Sequence, residues 1–319
     1  MRVSPRGRVV GGARVTAASP ARHSRGPAPA DGHPLPWLVP AVAVLALFYA
    51  IPVLDVFRLA FSDASLLAPA TRVTTDAVRG TLTDPALLSV LGTTAVFTGI
   101  TVAALQLMGL AIALVIIRGE DRGLPGMAAF RTLVLAAWVV PGIANGLVWG
   151  MLFDEAPYGT LNSLLGSVGI GPVAWLSDPQ MAMVSAMIAN LWQGTAFSMI
   201  VFYAGRKGID PVLYEVAELD AATPWQTFRY ITLPLLRRLI AVNTILIAVQ
   251  TLNTFDSILA LTGGGPGRAT EVLALFTFNT VFYNLDLAGG SVLALLLFGI
   301  SMVLALVVLR GMGRERAAA

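Results

Sequence analysis

Cysteine is absent from the 319-residue sequence, and with it every disulfide, thiolate metal site, catalytic thiol and cysteine-linked lipid anchor. Histidine occurs only at His23 and His33, both ahead of the first apolar run, which excludes a histidine metal site or proton relay farther along. Lysine occurs once, at Lys207, and Gly208 follows it, so a phosphate-binding loop ending in Lys-Ser or Lys-Thr cannot form. If ATP drives this protein, another subunit binds it. Charge is scarce too: 12% of residues are charged, against about 25% in an ordinary soluble domain. Hydrophobic residues make up 56% of the chain instead. So apolar a chain would expose large patches in water, which makes lipid its natural solvent. The formal charge of +3 is spread between apolar runs and builds no stripe, so nucleic acid is not a partner.

Residues 1–34 hold six arginines among Pro, Ala, Gly and Ser. Such a segment buries too little to offset its chain entropy and reads as a disordered basic cytoplasmic tail. It has the charged front of a signal peptide, but no small-residue cleavage site closes the apolar run behind it, which reads as an uncleaved first span. Residues 35–310 form the membrane domain. Six runs reach the ~20 residues that cross a bilayer core of about 30 Å: 37–57, 87–117, 132–153, 181–203, 239–261 and 289–309. The expected fold class is all-α, polytopic, with six transmembrane helices. Pro141 and Gly194 fall inside runs, where membrane bundles tolerate them at contacts and cavities. Segment 271–283 is apolar but short and carries Thr277, Asn279 and Thr280, so it reads as an interfacial or re-entrant helix on the outer side. With the N-terminus inside, the tail, 118–131, 204–238 and the C-terminal end 311–319 are cytoplasmic. Together with Arg310, which closes the last run, they hold 17 of the 21 Lys and Arg residues, leaving Arg58, Arg72, Arg79 and Arg268 outside. The positive-inside rule favours this orientation, with both ends in the cytoplasm.

Loop 204–238 is more than a connector. Asp210-Pro211 reads as an N-cap followed by proline at the first helical position. Thr223-Pro224-Trp225-Gln226 repeats that start, with Thr223 and Gln226 spaced as a capping box. A break near Ala221 and Ala222 would leave two short helices as a knob on which a motor outside the bilayer could push.

The run Glu215-Val216-Ala217, then Ala221, then Ile231-Thr232-Leu233-Pro234 resembles the "EAA" signature of bacterial ABC-importer permeases. That pattern is E-A-A, three residues, G, nine residues, I-x-L-P. Every spacing matches, with Val216 and Ala221 as the departures. Other phrases resemble the carbohydrate branch of maltose and glycerol-phosphate type. They are Arg131-Thr132-Leu133 with Trp138 and Pro141, Tyr158-Gly159-Thr160-Leu161-Asn162, Trp192-Gln193-Gly194-Thr195, and Phe255-Asp256 running into Leu261-Thr262-Gly263-Gly264-Gly265-Pro266. The likeness covers roughly residues 85–310. It implies the type I importer permease fold in a bacterial cell membrane, with 204–238 as a coupling loop seated in a cleft of an ATPase subunit. The residues so implicated are Glu215, Ala217, Glu218, Asp220, Ala221, Leu233 and Pro234. Implied partners are a second permease, two ATPase subunits that bind ATP and Mg, an extracellular solute-binding protein and a sugar. The chain itself would bind no cofactor and would not be an enzyme. If the turn at Ala221 needs positive φ, alanine costs about 1 kcal/mol relative to glycine; otherwise the bend uses an ordinary φ.

Within the fifth run, Asn243, Gln250 and Ser257 fall within ~40° of one another at helical spacing, with Asn253 and Thr254 close by. A polar stripe in a span must face other helices or a water-filled path. Interhelical hydrogen bonding is the alternative to a substrate path. In the fourth run, Asn190, Trp192 and Gln193 suit a sugar, whose hydroxyls want amides and whose C–H face stacks on a ring. Candidate pathway residues are therefore Asn190, Trp192, Gln193, Gln250, Asn253 and Asp256, the last read as a structural partner or gate near the outer end ahead of a sugar ligand. No span holds a lysine, a histidine or a paired carboxylate, so hydrolysis, phosphoryl transfer and proton-coupled transport lack their groups. A stand-alone secondary transporter, or an ABC permease for a non-sugar solute, is the alternative. The former usually shows inverted repeats and an intramembrane ionisable residue, and no repeat is visible.

Overall fold

The computed structural model describes residues 35–156 and 159–317. The tail reading of 1–34 and the motif residue Tyr158 lie outside them. Every regular element described is helical; the isolated bridges Ser62–Val73 and Ser65–Ala68 are the β pairing seen among the described residues. The described residues fall into two units, divided between Ala50 and Ile51. The described part of the first is α1 (Leu35–Leu45) and a π-helical turn, Ala46–Ala50. Its side chains from Leu38 onward are exposed, an apolar surface suited to lipid.

The second unit contains α2 (Ile51–Ala60), α3 (Asp76–Leu82), α4 (Pro85–Asp121), α5 (Met127–Val139), α6 (Gly142–Leu152), α7 (Thr160–Ser167) and α8 (Pro179–Lys207). They are followed by α9 (Val212–Leu219), α10 (Pro224–Thr227), α11 (Leu233–Leu252), α12 (Asp256–Leu261), α13 (Leu273–Phe282) and α14 (Leu287–Ala317). Among the described residues, five helices are long and apolar enough to cross a membrane: Leu38–Ala60, Pro85–Asp121, Pro179–Lys207, Pro224–Leu252 and Leu287–Gly311. The α5–α6 pair makes a sixth if it counts as one span.

Three expectations need correction. The run 132–153 is not one helix, because α5 and α6 meet at 105°. Pro141 has no N–H to give and forces its predecessor out of helical geometry, and Val140 accordingly sits at φ −68°, ψ 125°. The run 239–261 is not one helix either. The fifth span begins at Pro224, ends at Leu252 and leaves α12 as a separate piece. Asn253 donates to the Val249 carbonyl (2.7 Å) and Thr254 to the Gln250 carbonyl (3.1 Å). These side chains close off the helix end, in competition with the next backbone turn. Ser257 therefore leaves the expected stripe. The capping box also opens the fifth span itself rather than a second short knob helix. A π-helical turn, Phe228–Thr232, precedes Pro234, as Ala46–Ala50 precedes Pro52. Each proline would clash with the carbonyl four residues back, and a widened turn relieves that clash.

Short α13 spans about 15 Å and buries Leu273, Leu275 and Phe276 in a core with Val90, Phe97 and Leu293. Its first N–H reaches the Thr94 hydroxyl at 2.7 Å, which caps it from α4. The main helix contact is α4 on α8. Gly109 permits it, since a Cβ there would meet the Ser198 side chain and the Met199 nitrogen. Beside it, Asn243 of α11 is fully buried and donates to Gln106 Oε1 (2.7 Å) and Ser198 Oγ (3.0 Å). For Asn243 the interhelical reading of the polar stripe holds. Where α4 and α8 end, Lys207 lies 3.2 Å from Glu120 and 3.5 Å from Asp121, and Arg131 pairs with Glu120 at 3.5 Å.

Gly109→Ala should wedge α4 from α8 and lower stability by about 1–3 kcal/mol, the usual cost of overpacking. Thermal unfolding in detergent would show it as a lowered midpoint, and an unchanged midpoint would mean the two helices are free to separate.

Candidate functional site

Two features carry the polar residues singled out in the sequence. The first is a cavity of about 200 Å³ among the helices, lined by Leu105, Trp138, Asn190, Gln193, Gly194, Ile247, Gln250, Thr251 and Thr254. Asn190 and Gln193 come from α8, and Gln250 from the last turn of α11. Gln193 also donates to the Val140 carbonyl, a group freed by the break at Pro141. Three expected pathway residues, Asn190, Gln193 and Gln250, thus share one cavity. The other three lie elsewhere. Trp192 is half exposed and meets Trp149 edge-on at 6.2 Å. Asn253 caps its own helix and lines a separate apolar groove with Phe255, Phe278 and Phe298. Asp256 opens α12 and packs its carboxylate against Gly142, the first residue of α6, where the helix dipole favours a negative group.

Asn145 escaped the sequence reading. It is fully buried, and its Nδ2 lies 3.2 Å from the Ala189 carbonyl, 3.3 Å from Gln193 Oε1 and 3.1 Å from Ser257 Oγ. It therefore fastens α6 to α8 and α12. Gly146 lets α6 lie directly against α12, since a Cβ there would strike the Ser257 carbonyl and the Ala260 side chain. The only hint in the sequence was an asparagine inside an apolar run, four residues after Pro141.

At the end of α8 remote from Lys207, the connection to α6 is tied by side chains. Asn162 is buried, pairs with both backbone groups of Val173 and accepts from the Trp175 indole at 2.9 Å. Glu155, also missed, accepts from the Ser177 hydroxyl (2.7 Å) and from the N–H groups of Leu176 and Ser177. The Ser177 hydroxyl first, then the backbone donors, hold its carboxyl below the usual glutamate range, so it stays ionised. Farther along, Gly263, Gly264 and Gly267 take φ of 61°, 91° and 55°, which accounts for glycine at these three positions. Nearly buried Glu271 then pairs with Arg268 at 3.1 Å and accepts from Asn279 at 2.8 Å.

The second feature is α9. Asp210 accepts from the Val212 N–H (3.0 Å) and so caps it. Its inner side is Tyr214 and Ala217, the latter buried. Its outer side presents Val212, Leu213, Val216 and Leu219, the last 86% exposed, with Glu215, Glu218 and Asp220 also exposed. Helix α9 ends on a left-handed residue, Ala221, at φ 52°. The Ala222 N–H returns to the Ala217 carbonyl (2.9 Å) and the Ala221 N–H to Glu218 (3.0 Å), a Schellman closure that normally employs glycine. The Thr223–Gln226 capping box starts the next helix at once, with Thr223 N–H to Gln226 Oε1 at 2.7 Å. Leu233 and Pro234 form the first turn of α11. Glu218 faces a recess of about 210 Å³ shared with Arg118, Asp121, Arg206, Tyr214 and Thr232.

Residues 109–314 match the family described as binding-protein-dependent transport system inner membrane component. The trehalose/maltose transport system permease protein MalF of Thermococcus litoralis is 36% identical over 221 residues, covering 69% of this chain and 72% of that protein. The sulfoquinovosyl glycerol transport system permease protein SmoG of Agrobacterium fabrum is 32% identical over 275 residues, 86% of this chain and 88% of its own length. Among solved structures, a bacterial ABC transporter involved in import of the acidic polysaccharide alginate superposes with a TM-score of 0.75. It is 20% identical and covers 88% of this chain and 94% of that one.

Since Ala221 carries positive φ, Ala221→Gly should raise stability by about 1 kcal/mol. A shift of the unfolding midpoint reports it; no gain, or a loss, would mean that the left-handed turn is not strained.

Proposed function

The chain belongs to the family of binding-protein-dependent transport system inner membrane components, and from that premise we propose that it forms half of a carbohydrate pathway driven by ATP on separate subunits. The observation that carries the cargo reading is the cavity where Asn190, Gln193 and Gln250 converge. Neutral amides donate and accept at once, which matches sugar hydroxyls and offers an ion no countercharge. The relative named for trehalose and maltose supports the same class. A transporter working alone has no such support.

The rest of the assembly follows from the same reading. A second permease closes the pathway, two ATPase subunits bind ATP and Mg, and an external binding protein delivers the cargo. The apolar outer side of α9, with Glu215 among it, is the surface offered to an ATPase subunit, because an exposed Leu219 in water invites a protein cover. The concentration of Lys and Arg in the tail, 118–131, 204–238 and the C-terminal end supports a cytoplasmic position for all four. Nucleotide-driven closure below would then rock the helices that line the cavity.

The test is uptake into proteoliposomes holding the purified complex and its binding protein, assayed with a panel of labelled disaccharides. Gln250→Leu should lower uptake efficiency about tenfold, the equivalent of one lost hydrogen bond of about 1.4 kcal/mol, with assembly and basal ATP hydrolysis retained. Unchanged uptake in a fully assembled complex would remove Gln250 from the pathway.

A further inference from the structure

We propose that Tyr214 is the latch through which α9 drives the spans, a positioning residue that holds this helix to the end of α8 and to the root of the fifth span together. The inference rests on the coupling reading above and adds the route by which a push would travel. Helix α9 has eight residues and is joined at both ends by turns, 208–211 and 220–223. Hung on turns alone, so short a helix would roll about its own axis under load and pass little displacement onward. Something must stop the roll, and it must grip the elements to be moved.

Tyr214 meets both requirements. The Arg206 guanidinium, in the last turn of α8, stands 3.4 Å from the centre of the Tyr214 ring. That is close stacking for a planar cation on an aromatic face. The Tyr214 hydroxyl lies 3.1 Å from Thr232 Oγ1. Thr232 is nearly fully buried and belongs to the π-helical turn Phe228–Thr232 that leads into α11. One side chain thus engages α8 with its ring and the fifth span with its hydroxyl. Ala217, one turn on, is buried and keeps the backbone of α9 close to the same surface. Glu218, Arg118 and Asp121 rim the recess around this contact.

The two elements held are the ones that carry the cavity amides, Asn190 and Gln193 on α8 and Gln250 on α11. A displacement of α9 held at Tyr214 therefore moves both walls of the cavity. The π-helical turn supports this reading, because a widened turn is a place where a helix can change its pitch without unfolding.

The experiment uses the assembled transporter in nanodiscs, with ATP plus orthovanadate as the probe, and compares hydrogen exchange with and without trapped nucleotide. In the unmodified chain, amides of residues 233–252 change their exchange on trapping. Tyr214→Leu should leave the ATPase subunits bound and hydrolysing within about twofold of the unmodified rate, yet abolish that response in 233–252. Tyr214→Phe keeps the ring on Arg206 and should retain about half of the response or more. A purely structural role would lower assembly and hydrolysis together and would not separate hydrolysis from the response. An unmodified response in Tyr214→Leu overturns the latch. Should Tyr214→Leu fail to assemble, Arg206→Gln decides: a lost response supports the latch, and an unmodified response overturns it. An unmodified chain that never retains ATPase subunits would instead overturn the coupling reading.

Discussion

A backbone group freed inside a membrane has no water to turn to, so each helix break must be closed by the protein itself. Such breaks fall at Pro141 and at Asn253–Phe255, and much of the interior is arranged to satisfy them. Gln193 takes up the Val140 carbonyl, and Asn253 and Thr254 fold back onto carbonyls of α11. The short helices that follow, α6 and α12, start beside each other, with the Asp256 carboxylate against Gly142. Asn145 then anchors the pair to α8. The polar cavity is a by-product of this arrangement. Gln193 and Thr254, which help to close the breaks, line the space left between the interrupted helices together with Asn190 and Gln250.

The far end of the long helices obeys a different rule. There the chain meets water, and its charged groups gather: Glu120, Asp121, Arg131 and Lys207 pair where α4 and α8 stop. Exposed pairs of this kind contribute little stability, roughly 0–1 kcal/mol each. They mark where the apolar spans end and where α9 projects. Helix α9 breaks the usual pattern by exposing leucine and valine among its acidic residues. Its backbone bears the strain of a left-handed alanine to reach the capping box without a spare residue.

Much of this was legible in the sequence. Apolar runs located the spans, the Thr223–Gln226 spacing named a real cap, and the signature around Glu215 led to the family. The misreadings have a common cause. Apolar periodicity reports that a segment is buried in lipid or protein, and is silent about whether its axis continues. Pro141 looked tolerable within a span and instead turned the chain through 105°. The break after Leu252 has neither proline nor glycine to announce it, only Asn253 and Thr254, whose side chains can complete a helix end. Asn145 and Glu155 were invisible for another reason. Their roles come from partners 21 to 112 residues away in the chain, and no local pattern records such partners.

The account stands or falls on whether the amide-lined cavity opens alternately to the two sides of the membrane. The chain has no cysteine, so Thr254→Cys, on the cavity wall, places a single thiol there. Labelling by a membrane-impermeant maleimide is measured from each face, with and without ATP and orthovanadate. The expected result is modification from one face in the nucleotide-free complex, with loss of that access or a switch to the opposite face on trapping. A thiol that stays unlabelled from both faces in every state of a folded, hydrolysing complex would contradict it.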